Sequence, residues 1–226
     1  MCTVTVAKRQ GQRVLTMNRD EARVRGPELE PSWYGAVYGP RDSDAGGTWI
    51  GINKAGLSAC LLNYCLGTPS RSLNKKSRGL IVPSVLEQET FSDAERFFLS
   101  QDFLDFDPFT FLLLDGLSAK SYTWRGEGEI VRTQYQSVPF ILTSSSWNTL
   151  EAEAWRCAEF YKKDWGWDSE TKMSNYHFYQ SDDNYFASPF VDRPKSYTKS
   201  VTEVVWSENQ LELSSYSEPM AMSLNC

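Results

Sequence analysis

The chain has 226 residues, 41% hydrophobic, 14% aromatic and 23% charged, which is enough apolar material for a sizeable core and excludes disorder, collagen-like repeats and coiled coils. Lysine and arginine total 23 against 29 aspartates and glutamates, a net charge of -6 with the signs mixed, so no basic stripe is present for nucleic acid. The most apolar run, FTFLLL at 109–114, is far below the roughly 18 residues of a spanning helix. The opening MCTVTVAKRQ lacks the pattern of a signal peptide, so a soluble, cytoplasmic protein without membrane insertion is expected.

In chain order, CTVTVA (2–7) alternates β-branched residues and reads as a strand. KRQGQR reads as a turn, and VLTMN (14–18) as the returning strand of a hairpin. Arg19 to Thr48 is rich in proline, glycine and charge and reads as loop. TWIGIN and GLSACLLNY follow as two strands around a turn at Asn53–Gly56. Helical signals begin in RGLIVPSVLEQE (78–89), where Pro83 must start or kink the helix, and continue in SDAERFFLSQ (92–101), with Ser92 as N-cap and Glu95 completing a capping box. FTFLLLDG, KSYTWRG, GEIVRTQ and VPFILTSS read as strands. A helix over 147–165 presents an apolar face of Leu150, Ala154, Ala158 and Tyr161. YTKSVTEVVWS and QLELSSYS form a closing hairpin around Glu208–Asn209. Strands, helices, strands, helix and strands without βαβ alternation predict one α+β domain over 1–226.

The five cysteines (Cys2, Cys60, Cys65, Cys157 and Cys226) fit neither a disulfide framework nor a zinc site. A single histidine, His177, gives little support for a metal centre or a His-based triad, so neither metal nor cofactor is expected. Cys2 has two readings: a small apolar residue opening a strand, or a nucleophile. If the initiator methionine is removed, Cys2 carries both a thiol and an α-amine that titrates near 7.7–8.0 and can take the thiol proton. NRDE at 18–21 ends the returning strand and brings Arg19 and Asp20 towards Cys2, as a solvated charge cluster or as a guanidinium and a carboxylate tuning the chain end. In GGTWIG the glycine pair permits close backbone approach, and Trp49 covers a site or fills a core. Asn63 either satisfies a turn or offers an amide to an oxyanion. His177 lies among aromatics in SNYHFYQSDDNYF, as core cover or as an axial haem ligand.

MC at the start, NRDE at 18–21, GGTWIG at 46–51 and SRG at 77–79 together resemble the NRDE-motif family, which includes transport and Golgi organisation protein 2. GINKAGL followed by LLNY is also similar to a stretch in bile salt hydrolases and penicillin V acylases. Those are N-terminal-nucleophile (Ntn) hydrolases. The resemblance implies a four-layer αββα sandwich, Cys2 as nucleophile, Asn63 as oxyanion donor, and Arg19 and Asp20 as electrostatic partners. Two features depart from the hydrolase pattern. Arg19 and Asp20 are adjacent rather than separated by two residues, and Ser144 stands where an asparagine is usual. The late segment resembles closing strands in which Arg193, Thr198 and Ser200 face the site. Trp49, Ser144 and Arg193 are thus the expected substrate-binding residues. The implied function is hydrolysis or acyl transfer on a small non-peptide amide. The alternative is a non-catalytic protein handling haem or an acyl-lipid metabolite.

Overall fold

The computed structural model describes residues 2–166, 175–207 and 211–217, and its chain falls into two compact units. The first comprises the described residues within Met1–Arg25, Val138–Val205 and Ser214–Cys226; the second comprises those within Gly26–Ser137 and Trp206–Leu213.

Strands β1 (Cys2–Arg9) and β2 (Gln12–Ala22) open the first unit. Gln10 and Gly11, with φ of 50° and 79°, form the two-residue turn whose twist matches a hairpin, and this sets the register. Cys2 therefore lies opposite Arg19, Thr3 opposite Asn18 and Val4 opposite Met17. The second strand runs four residues beyond the predicted end, so NRDE lies inside it. One face carries Val4, Val6, Leu15 and Met17, the other Thr3, Thr5, Thr16 and Asn18, and all eight are buried.

The second unit is a seven-stranded antiparallel meander. Its first two strands, β3 (Glu28–Tyr34) and β4 (Val37–Asp42), occupy the stretch predicted as loop. β3 is an edge strand with an irregular register and Pro31 inside it, so proline and charge, which signal a loop, here protect a sheet edge. β5 (Ile50–Asn53) and β6 (Ser58–Asn63) follow as predicted. Asn53 organises their turn: its carbonyl oxygen accepts from the Ala55 and Leu57 N–H groups, and its amide donates to the carbonyls of Leu86 and Gln88.

A 3-10 turn at Arg78–Leu80 leads into α1 (Ile81–Leu86), shorter than predicted, with Pro83 in the first turn where its missing N–H costs nothing. α2 (Phe91–Leu99) is capped by Thr90 rather than Ser92. The Thr90 hydroxyl accepts the Asp93 N–H at 3.1 Å and donates to the Asp93 carboxylate at 2.7 Å. Glu95 instead accepts from Tyr122 and Lys120 across to the sheet. β7 (Phe109–Leu114), β8 (Ala119–Trp124) and β9 (Val131–Gln134) complete the meander. Phe98 of α2 stacks on Phe111 at 4.7 Å within a core shared with Leu61, Phe109 and Tyr122.

The glycines of GGTWIG and SRG meet here. A Cβ added at Gly47 would stand 2.5 Å from the carbonyl carbon and oxygen of Gly79, and the Gly79 carbonyl accepts the Thr48 N–H at 2.9 Å. Gly47→Ala should therefore cost about 1–3 kcal/mol by overpacking. Urea unfolding measures this, and an unchanged midpoint would refute the close crossing.

The chain continues with β10 (Phe140–Ser144), α3 (Thr149–Lys162), β11 (Ser196–Trp206) and β12 (Leu211–Ser217), all of the first unit except Trp206 and residues 211–213. The sheet order is β10-β1-β2-β11-β12. Residues 208–210, on which the predicted turn at Glu208–Asn209 falls, lie outside the described residues. The face predicted for α3 is not the buried one. Leu150, Ala154, Ala158 and Tyr161 are exposed, while Ala152, Arg156, Glu159 and Phe160 are buried. Arg156 turns inwards because the sheet face it meets offers it the hydroxyls of Thr3 and Thr143. The architecture is a sheet-rich α+β arrangement with few helices. Among the described residues no helix is long and apolar enough to cross a membrane.

Candidate functional site around Cys2

Strand alternation sends the NRDE side chains to opposite faces of the five-stranded sheet. Arg19 shares the face of its register partner Cys2, Glu21 lies on that face two residues along, and the Arg19 guanidinium donates to the Glu21 carboxylate at 3.3 Å. Asn18 and Asp20 share the face of Thr3 and Thr5. The adjacency of Arg19 and Asp20 thus gives the two residues different surroundings.

Asn18 anchors the 3-10 turn at Asn175–Phe178: its amide donates to the carbonyls of His177, at 2.8 Å, and Pro189, at 3.0 Å. Because that nitrogen is the donor, the Asn18 carbonyl oxygen accepts from His177 Nδ1–H at 2.6 Å. His177 Nε2 is then the acceptor for the Thr5 hydroxyl at 2.7 Å. Both ring nitrogens are occupied and the ring is fully buried, so neither is open to a haem iron without breaking a bond. Burial pushes the imidazole down to about 3 from its ordinary 6.5. Between those values the unfolded chain binds a proton that the folded chain refuses. Stability should therefore fall as the pH drops from about 6.5 towards 3, by at most about 1.4 kcal/mol per pH unit, with no contribution above that window. His177→Gln, which cannot take that proton, should show a flatter slope in urea unfolding at pH 7, 5.5 and 4.5. Parallel slopes would remove His177 as the source.

Asp20 is buried, and the Thr198 hydroxyl donates to its Oδ1 at 2.7 Å. Burial raises its carboxyl above the usual range, opposed by the charges of Arg156 and Arg193 and by the Thr198 bond. Thr198 is itself held, its hydroxyl accepting the Val191 N–H and its own N–H reaching the Val191 carbonyl. Ser200, two residues along β11, shares the Thr198 face and is fully buried. Arg193 donates to the Phe186 carbonyl, and its guanidinium lies 5.7 Å from the Trp147 ring centre.

Cys2 itself is buried, 7% exposed. Burial raises its thiol, Asp20 adds to the rise, and Arg19 and a hydrogen bond from the Asp20 backbone N–H lower it. The resting sulfur is therefore a thiol that needs a base. On the β10 side, Ser144 is the register partner of Cys2, and its hydroxyl accepts the Cys2 N–H at 3.1 Å. Ser144 thus touches the atom that becomes the α-amine if Met1 is removed.

The structure gathers Cys2, Arg19, Asp20, Ser144, Arg193 and Thr198 in the first unit; Trp49 and Asn63 belong to the second. Trp49 is buried immediately before β5, its carbonyl accepting the Leu61 N–H. Asn63 ends β6 opposite Phe109, half-buried, with its side-chain amide unbonded among the described residues.

The family model of Transport and Golgi organisation 2 matches residues 1–210. The chain belongs to that family. Among curated proteins the sequence comparison found no match. In fold, this member of the Transport and Golgi organisation 2 family is similar to an N-acylethanolamine-hydrolyzing acid amidase ortholog of Caenorhabditis elegans. The TM-score is 0.58 at 14% identity, covering 96% of this chain and 100% of that one. It is also similar to penicillin V acylase from Agrobacterium tumefaciens, with a TM-score of 0.54 at 16% identity, covering 96% and 86%. Both neighbours are of Ntn-hydrolase type, and the shared feature at this identity is the fold.

Sequence reasoning missed Arg156, which has no solvent exposure and makes five hydrogen bonds, three of them to residues beside Cys2. The available signal was helical spacing: Ala152, Arg156, Glu159 and Phe160 lie on one face of α3. An arginine in that stripe reads as polar and so assigns the face to solvent.

Proposed function

We propose that this chain is an Ntn hydrolase or acyltransferase acting on a small non-peptide amide, with Cys2 as nucleophile once Met1 is removed. The reading takes residues 1–226 as one domain with the αββα layering of that fold class. The observation that carries it is the setting of Cys2: a buried thiol at the first position of a central strand, its nitrogen on the Ser144 hydroxyl and its sulfur beside the Asp20 N–H. A small residue that merely opened a strand would not need a polar partner on each side. The two structural neighbours, an amidase and an acylase, agree with that chemistry.

In this mechanism the α-amine of the trimmed chain takes the Cys2 thiol proton as Sγ attacks the amide carbonyl carbon. The carbonyl electron pair moves onto oxygen, where the Asn63 amide and a backbone N–H stabilise it. Collapse expels the amine, which leaves with the proton held on the α-amine, and forms a thioester. Water, or an acceptor amine, then gives a proton to the α-amine, attacks the thioester and frees the thiol. Arg19 favours the thiolate, and Asp20 is the counter-charge for the protonated amine.

The decisive experiment is the intact mass of the protein from its own host, before and after a limiting dose of iodoacetamide. Loss of one methionine mass with rapid labelling at Cys2 is expected, followed by turnover in a screen of small N-acyl amides. Retained Met1 with an unreactive Cys2 sinks the mechanism. Within it, Asn63→Ala should lose about 10²–10³-fold in kcat. Near-full activity of that variant would remove Asn63 from the oxyanion role.

A further inference from the structure

The five bonds of Arg156 go to two places. Nε and Nη2 donate to the carbonyls of Ala187, at 2.8 Å, and Ser188, at 3.0 Å. Nη1 donates to the Thr3 hydroxyl at 3.2 Å, the Thr143 hydroxyl at 3.0 Å and the Ser144 carbonyl at 3.1 Å. These last three acceptors surround Cys2 in the sheet: Thr3 follows it, Ser144 is its partner on β10, and Thr143 is the partner of Thr3. The Ser144 residue whose carbonyl is gripped by Arg156 is the one whose hydroxyl accepts the Cys2 N–H. Thr3 also shares its sheet face with Asp20, so the guanidinium that bonds Thr3 lies on the carboxylate's side.

We propose that Arg156 is a positioning residue for Cys2, its buried guanidinium fixing the Ser144 hydroxyl against the Cys2 nitrogen and supplying the counter-charge to Asp20. This rests on the reading of Cys2 as nucleophile and adds a residue that the resemblance does not assign. A rigid planar fork can hold two strand ends and a turn at once, whereas a lysine supplies charge without that geometry. The payoff is alignment, since an amine displaced by an ångström from its thiol loses much of its value as a base. Asp20 faces Arg156 from α3, Arg193 from the segment before β11, Thr198 from β11 and the amino-terminal charge. Cys2 faces Arg19 and Asp20 of β2 and the amino-terminal charge. Arg156 is the largest of the charges that oppose the effect of burial on Asp20.

The test uses the full chain as wild type, Arg156→Lys, Arg156→Gln and Asp20→Asn, with Arg156→Gln also placed on Asp20→Asn. Carbon-13 resonances of labelled aspartate carboxyls, assigned by Asp20→Asn, report Asp20, and the pH profile of Cys2 alkylation by iodoacetamide reports the thiol. Asp20 should be ionised at pH 7 in wild type and in Arg156→Lys. Arg156→Gln should raise its midpoint by about one pH unit or more, tenfold in the carboxyl equilibrium, and shift the alkylation profile with it. On the Asp20→Asn background the same substitution should leave the profile within about twofold, because the charge coupling is already gone. A folded Arg156→Gln with the wild-type midpoint and profile overturns the proposal, and so does an equal shift on both backgrounds. Asp20 found protonated at pH 7 in wild type also overturns it, a result that needs no Arg156 variant to fold. Retained Met1 or absent amide turnover sinks the nucleophile reading alone, while the Asp20 midpoint still decides the part played by Arg156.

Discussion

Cys2→Ala is expected to lower amide turnover by roughly 10⁴–10⁶-fold while leaving the chain folded, the loss typical of removing a nucleophile from a unit that acts together. The size follows from the roles involved. Without sulfur no thioester forms, and the α-amine has no proton to take. What remains is binding and oxyanion stabilisation, which leave a residual rate above water. The structural cost should be small, because one buried sulfur at a strand end leaves a cavity below that of a deleted Leu side chain, for which about 3–5 kcal/mol is usual. The check is kcat/KM on the best amide from the screen, alongside thermal unfolding of the same preparation. Turnover kept within tenfold in a folded Cys2→Ala would remove Cys2 from the chemistry, whatever its reactivity towards iodoacetamide.

The second large effect is on stability. Arg156→Met should destabilise the protein by about 3–5 kcal/mol, because several buried acceptors lose their donor at about 1–3 kcal/mol each. Methionine fills much of the volume, so the loss comes from polarity. Two carbonyls, two hydroxyls and a further carbonyl lose their donor in a buried place. Asp20 loses the strongest charge that offsets its burial. Adding Asp20→Asn to Arg156→Met should recover part of the loss, since the uncompensated carboxylate is then gone. Urea unfolding of the two singles and the double measures this. A cost below about 1 kcal/mol for Arg156→Met would show that the network contributes little, however well its distances read.

Much of this is legible in the residues themselves. The Gln10–Gly11 turn and the alternation of Cys-Thr-Val-Thr-Val lead to a hairpin that lays Arg19 across from Cys2, since turn length and period two leave one register. GGTWIG and SRG carry glycines because two backbones cross there, and only hydrogen fits the gap at Gly47. Local rules misled where two structures share one composition. Proline and charge over 22–48 describe an exposed edge hairpin as well as a loop, and Thr90 with Asp93 caps α2 as readily as Ser92 with Glu95 would.

The sequence by itself determined the hairpin at the chain start, the β5–β6 pair and the family to which NRDE points. Tertiary structure alone decided which face of α3 turns inwards, where His177 spends its two nitrogens, and that Ser144 holds the Cys2 nitrogen. The physical reason is range. Turns, caps and alternation act between residues a few positions apart, where the chain's own geometry dictates the answer. Arg156 and Thr3 are 153 positions apart, and His177 and Thr5 are 172 apart. Each is polar enough to belong on the surface until the partner that satisfies it has been folded alongside.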